Sequence, residues 1–383
     1  MDGATLRHVG TSGGRPALPP DGVPTLGVEE EFLLTDLRTR AVVPCAPVVI
    51  KAARDHLGDR IEAEIFPSVV ETRTSPVATL DGLAQELRNL RAGLAAAAAQ
   101  AGCRAVAAGT AVVPPGGPLE ITDKARYLRM AAEYGPLVTG DGGAGVCGCH
   151  VHIGVADRAE AVQLCNHLRP WLPALQALSA NSPFHGGRDS GYASWRTMRW
   201  AQWPGTGPAP LLADAAAYDA LLDAMVDSGM MLDRRMVYWY ARPSEHFPTV
   251  EVRVADVNAD PDTVLLLSGL TRALATVLLA GIRRGEPAPD VLDPVLRAAH
   301  WRAARDGLRG SGIDPVDGRP RPAVELVDRL VLRATPGLEA AGDLPLVRDL
   351  WQRQRKLGCG ADRQRAAFRR RGDLRDVVDL LVV

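Results

Sequence analysis

Three consecutive glutamates stand inside an otherwise apolar segment, Thr25–Thr35 (TLGVEEEFLLT), and no other segment constrains the fold as much. The alternation predicts a β-strand. Gly27, Glu29, Glu31 and Leu33 then share one face, and Leu26, Val28, Glu30, Phe32 and Leu34 share the other. The neighbours Val28, Phe32, Leu33 and Leu34 predict a central strand, so Glu29 and Glu31 are carried side by side into a sheet. Two carboxylates at that spacing repel each other unless a cation sits between them. Mg²⁺ and Mn²⁺ prefer oxygen ligands of this kind. The plainer reading, a solvated face of an amphipathic strand, suits a central strand less well.

The remaining elements follow from periodicity and punctuation. Helices are expected over Cys45–Leu57, Thr79–Ala101 (closed by Gly102), Thr122–Glu133, Asp157–Ala180 (interrupted by Pro170 and Pro173) and Ala213–Met231. Strands are expected at Arg60–Ile65, Val69–Thr74, Arg104–Val112, Val146–Val155, Met236–Arg242 and Thr249–Asp256. Asn181–Pro210 reads as a long irregular segment, and the chain after Asp260 as mostly helical. No βαβ rhythm runs through this order. The expectation is an α+β fold with a largely antiparallel sheet rather than a doubly wound parallel one. Residues 1–24, rich in Gly and Pro, read as a flexible tail, and 25–383 as a single catalytic domain.

Bulk properties exclude several classes of function. A net charge of -1 and an aromatic content of 5% argue against nucleic-acid or anionic-membrane partners. No apolar run of about 20 residues and no secretion signal is expected. The six cysteines are sparse and suit a reducing cytoplasm.

Four further constellations carry chemistry. Glu64 and Glu71 flank an apolar pair, Val69-Val70, that leaves a carboxylate in need of a partner; a plain Glu71–Arg73 ion pair is the simpler reading. Cys147-Gly148-Cys149-His150-Val151-His152 looks like a zinc cluster. Strand alternation sends the cysteines to one face and both histidines to the other, so the four cannot close a tetrahedron. In Thr249–Val254 the valines form an apolar face, and Glu251 and Arg253 stand together on the opposite one, lining a cleft. The loop through Arg188, Arg196 and Arg199 offers guanidinium groups that clamp phosphate or carboxylate; its bland reading is a solvated loop with Trp anchors. The Gly140–Gly145 run is weak as a phosphate loop, since it lacks a Lys-Ser/Thr pair. A Rossmann fingerprint and a G-x-S-x-G elbow are both missing. The inventory fits a multi-metal nucleotide site that faces anionic substrates.

The order of motifs is also informative. GVEEEF (Gly27–Phe32), CGCHVHIGV (Cys147–Val155), ALSANSPFHGGRDSGYASWRT (Ala177–Thr197), WYARPSEHFPTVEVRVADV (Trp239–Val257), WRAARDG (Trp301–Gly307) and ADRQR (Ala361–Arg365) resemble the type 2 glutamate–cysteine ligase family over about residues 24–371. The resemblance implies a glutamine-synthetase-like fold, in which an antiparallel sheet forms a funnel with ATP and metals at one end and the amino acid at the other. It implies activation of the γ-carboxylate of glutamate by ATP to an acyl phosphate. An amine then attacks, with cysteine expected and γ-glutamylcysteine as product. It further implies Glu29, Glu31, Glu64, Glu71, His150 and Glu251 as ligands of Mg²⁺ or Mn²⁺. His150 and Arg253 are implied at the nucleotide phosphates, Arg253 and Glu71 as catalytic residues, and Arg73, Arg196, Arg199, Arg242 and His152 at the substrates. A homodimer is the assembly expected from general symmetry priors. Two other readings stay open: the same chemistry with a different amine or acid, and a nucleotide-binding regulator with a decayed site.

Overall fold

The structure, a computed structural model, describes residues 22–118, 120–139 and 145–383. The expected tail falls almost wholly outside these residues, as does the Gly140–Gly145 run apart from Gly145. Seven strands build the main sheet: β1 (Leu26–Asp36), β2 (Ile61–Ala63), β3 (Val69–Arg73), β4 (Cys103–Val106), β5 (Gly148–Gly154), β6 (Ala241–Pro243) and β7 (Thr249–Asp256). Their order is β6-β7-β5-β1-β3-β2, with β4 beside β1, and every pairing is antiparallel. β1 is paired along both edges, to β3 on one and to β5 and β4 on the other. The α+β fold with an antiparallel sheet is therefore observed, and β1 is central.

The helices that matter here are α1 (Ala46–Leu57), α2 (Leu80–Gln100), α3 (Ala125–Tyr134), α4 (Arg158–Leu168), α5 (Leu172–Ser179), α6 (Trp195–Trp200), α7 (Ala215–Asp227) and α8 (Pro261–Arg283). Thr79 caps α2 by accepting from Gly82 N, and Asp157 caps α4 by accepting from Glu160 N. One sheet face is dry. Leu26 and Val28 of β1, Cys149, Val151 and Ile153 of β5, and Val250 and Val252 of β7 pack against leucines of α2, α4, α5 and α8. A second core gathers Phe32, Leu33 and Leu34 with α1 and β4.

Glu30 belongs to the dry face, where the sequence offers it no partner. Arg91 of α2 supplies one, with bonds of 2.6 and 3.0 Å, and also donates to the carbonyls of Asn258 and Ala259. The pair is shielded from water, and the extra carbonyl bonds satisfy the rest of the guanidinium.

Several expectations change. The strand expected over Arg104–Val112 ends at Val106; Ala107–Val112 is buried but mostly outside the ladder, with a single bridge from Thr110 to Val146. Met236–Arg242 divides into Tyr238–Trp239 and β6. The 181–210 segment holds α6 and short strand pairs. The expectation of no membrane-length apolar run is also corrected: α8 is long and apolar enough to cross a membrane, and 78% of its apolar window is buried within the fold. It is the core helix against which the sheet packs.

Candidate active site

Register, not sequence proximity, assembles the site. Pairing of β1 with β3 sets Glu31 opposite Glu71, pairing with β5 sets Glu29 opposite His150, and pairing of β5 with β7 sets His152 opposite Glu251. These side chains leave the wet face of the sheet and enter one cavity of about 350 Å³. Glu64, just beyond β2, joins them. Three overlapping groups bring their donor atoms within 4.8 Å of one another: Glu31, Glu64 and Glu71; Glu29, Glu71 and His150; and Glu29, His152 and Glu251.

The contacts divide this set into two halves. Around Glu29 and Glu251 the charges are compensated. His150 Nδ1 lies 3.3 Å from Glu29 and 3.4 Å from Glu251, and His152 Nε2 lies 3.3 Å from Glu29. Arg242 Nε donates to Glu251 at 2.8 Å, and Arg253 donates to the other oxygen of Glu251. Burial would raise the Glu29 carboxyl, but hydrogen bonds from His150 and His152 outweigh it and hold the group below the usual range. Burial likewise opposes ionisation of Glu251, and Arg242 and Arg253 overcome it.

Around Glu64 and Glu71 carboxylate charges dominate, and Lys124 is a weaker opposing charge at Glu64. Burial, and then the Glu31 charge, push the Glu64 carboxyl up from its ordinary 4.5 to about 7. Burial and the carboxylates of Glu29, Glu64 and Glu31 push Glu71 well above the ordinary range. Proton affinity of this size marks a cluster that would accept a cation in place of protons. One group has three carboxylates and the other two have two carboxylates and one imidazole, and the carboxylate oxygens are the donors that Mg²⁺ and Mn²⁺ prefer. His150 Nε2 is buried with no hydrogen-bond partner among the described residues, which leaves a nitrogen free to bind.

The cavity brings together Glu29, Glu31, Glu64, Glu71, His150, His152, Arg199, Arg242, Glu251 and Arg253. Two expected substrate residues stand elsewhere. Arg73 lies outside the lining and pairs with Glu62 at 2.6 Å and Asp59 at 3.6 Å, not with Glu71. Arg196, expected at a substrate carboxylate, is 1% exposed and is not among the residues that line the cavity. Arg242 also gives Nη1 to the carbonyls of Arg235 and Val237, so it braces Glu251 as well as facing the cavity. The cysteines point away as alternation requires, Cys149 into the dry core and Cys147 into the second core, and all six are free.

Other lining residues escaped sequence reasoning. Tyr127 and Met130 of α3, Trp200 of α6, Trp203, Tyr238, His246 and Phe247 all face the cavity. Only the Arg196–Trp200 spacing, i to i+4 on a short helix, carried a signal. The lining mixes basic side chains (Arg126, Arg235, Arg242 and His246) and apolar ones (Ile65, Phe66, Met130 and Val138) with the carboxylates.

An antiparallel sheet whose wet face gathers carboxylates, imidazoles and arginines agrees with the class to which the chain's relatives belong, the ATP-dependent carboxylate–amine ligases of glutamine-synthetase-like fold. Within that class the chain belongs to glutamate–cysteine ligase family 2, whose model matches residues 25–379. It is 46% identical over 358 residues to the "Putative glutamate--cysteine ligase 2" of Salinispora arenicola, covering 93% of this chain and 94% of the relative. It is also 46% identical over 359 residues to the "Putative glutamate--cysteine ligase 2-1" of Saccharopolyspora erythraea, covering 94% of each. Among solved structures, the Francisella tularensis glutamate–cysteine ligase in complex with AMP superposes with a TM-score of 0.70 at 12% identity, covering 94% of this chain and 87% of that one. A bifunctional glutathione synthetase from Pasteurella multocida gives 0.66 at 13% identity, with 94% and 52% covered. At such identities the structures speak for the shared fold alone.

Proposed function

We propose that this protein activates the γ-carboxylate of glutamate with ATP and joins it to the amine of cysteine in the cytoplasm. The observation that carries the reading is the strand register that directs Glu29, Glu31, Glu71, His150 and Glu251 into one cavity, which Arg253 also lines. In the first step a γ-carboxylate oxygen of glutamate attacks the γ-phosphorus of ATP; the bond to the β-phosphate oxygen breaks and ADP leaves. In the second the amine nitrogen attacks the acyl carbon, phosphate departs, and the nitrogen loses a proton.

Phosphoryl transfer needs positioning and charge neutralisation more than covalent help. Glu31, Glu64 and Glu71 would hold one divalent cation, and Glu29, with Glu71 and His150 or with His152 and Glu251, another. When bound, such ions neutralise phosphate charge and polarise the transferred group. Arg253 stabilises negative charge that develops on the transferred phosphoryl. His150 and Arg253 face the anionic polyphosphate. Arg199, Arg242 and His152 line the same cavity and are the candidates for the substrates. Glu71, which belongs to two of the three donor groups, serves both as cation ligand and as catalytic carboxylate.

The test is ADP release with Mg²⁺, ATP and L-glutamate, with and without L-cysteine, and the product read by mass spectrometry. Cysteine-dependent release with γ-glutamylcysteine supports the reading. Release with glutamate and a different amine removes cysteine but keeps the chemistry. Full turnover by Glu29→Gln and Arg253→Ala would refute the site.

A further inference from the structure

Arg253 is held by the strand on one side only, where its backbone N donates to Tyr240 O at 2.9 Å. The residue lies at an irregularity in the β5–β7 ladder, between Val252 and Ala255, where β7 carries an extra residue. Its guanidinium carbon stands 5.0 Å from the centroid of the Trp200 ring and 6.0 Å from that of Tyr238. A second guanidinium, that of Arg196, stands 4.4 Å from the same Trp200 ring. Arg196 Nη1 also donates to the Arg253 carbonyl at 3.4 Å.

Stability alone explains this arrangement poorly. Arg196 is 1% exposed, and its Nε and Nη2 have no hydrogen-bond partner among the described residues. Its ion partner Asp256 stands at 4.0 Å and accepts instead from Asn181 N, Ser182 Oγ and Ser194 Oγ. A buried, half-satisfied cation beside a like charge destabilises a fold. The chain also forgoes a side chain at Gly148, because a Cβ there would overlap Arg196 Nη2.

We propose that Trp200 and Arg196 are positioning residues for Arg253. The indole face carries both guanidinium groups, and Arg196 pins the bulged backbone from below. The Arg253 head, bonded to Glu251, is thereby aimed into the cavity where pairing with β5 is interrupted. The inference rests on the reading that Arg253 stabilises the transferred phosphoryl.

A mutant cycle on ADP release tests it, with ATP, Mg²⁺, L-glutamate and L-cysteine as substrates. Trp200→Leu is expected to lower kcat about tenfold, the worth of a desolvated cation–π contact, with KM for ATP within about twofold. Trp200→Phe, which keeps a ring face, should restore most of the loss. Arg196→Lys keeps charge but loses the planar stack, and should also lower kcat. In an Arg253→Ala background neither Trp200→Leu nor Arg196→Lys should cost anything further. If both lower kcat by the same factor in that background, the residues act independently of Arg253 and the inference is overturned. Should Trp200→Leu fail to fold, Arg196→Lys carries the same comparison. Full turnover by Arg253→Ala is a separate outcome; it refutes the role given to Arg253 itself, and the positioning role with it.

Discussion

Replacing Glu64 by glutamine should make the metal-free protein less sensitive to rising pH. Glu64 titrates near 4.5 in an unfolded chain and at about 7 in the folded one, because burial and the Glu31 charge disfavour ionisation. A group whose folded pKa is raised contributes stability that is present below the unfolded value. That stability is lost as pH rises through the folded value. The interval from 4.5 to about 7 corresponds to about 3 kcal/mol at roughly 1.4 kcal/mol per pH unit. Glu64 keeps part of its surface in the cavity, and solvent screening reduces the figure to about 2 kcal/mol. Urea unfolding in EDTA at pH 5 and pH 8 reads the difference. Wild type should lose about 2 kcal/mol more than Glu64→Gln over that interval. Added Mn²⁺ should restore wild type at pH 8, because a cation rewards the ionised carboxylates, and should restore Glu64→Gln much less. Equal pH slopes for the two proteins would refute the electrostatic account of the cluster. Equal responses to Mn²⁺ would refute its assignment as a cation site.

Other outcomes follow from contacts already described. Arg91→Leu strands Glu30 as a buried lone charge and should cost about 3–5 kcal/mol in urea unfolding; adding Glu30→Leu should recover a large part. Burial lowers His300 to about 3, so its proton binds the unfolded chain from about pH 6.5 downward and stability falls with acid. His300→Asn should remove about 3 kcal/mol of the stability lost between pH 7 and pH 4, read by the same denaturation. Cys149→Ala should reduce stability by about 1 kcal/mol yet leave the thermal shift with Mn²⁺ unchanged, since the thiol faces the dry core.

Strand faces were legible in the sequence because a period of two depends only on the backbone. Glu29, Glu31, His150, His152, Glu251 and Arg253 share the cavity as alternation requires. Partners distant in sequence were not legible. Nothing near Glu30 announces Arg91, 61 residues on, or the carbonyls of Asn258 and Ala259. Arg196 illustrates a second limit. An arginine in a glycine-rich loop reads as exposed, and only the packing of α6 under the sheet reveals its burial. Ala107–Val112 shows a third: apolar runs report burial, and burial without a ladder looks the same as a strand.

The direct opposition of Glu31 and Glu71 across β1 and β3 has a consequence for how such a protein tolerates insertions and deletions. Side chains alternate strictly, so one residue gained or lost within β1 would send Phe32 and Val28 into the cavity and the carboxylates into the dry core. A single codon change of that kind removes the chemistry and the fold together. Length variation should therefore gather in the segments between strands, such as 113–124 or 284–292, while the eleven residues of β1 keep a constant spacing.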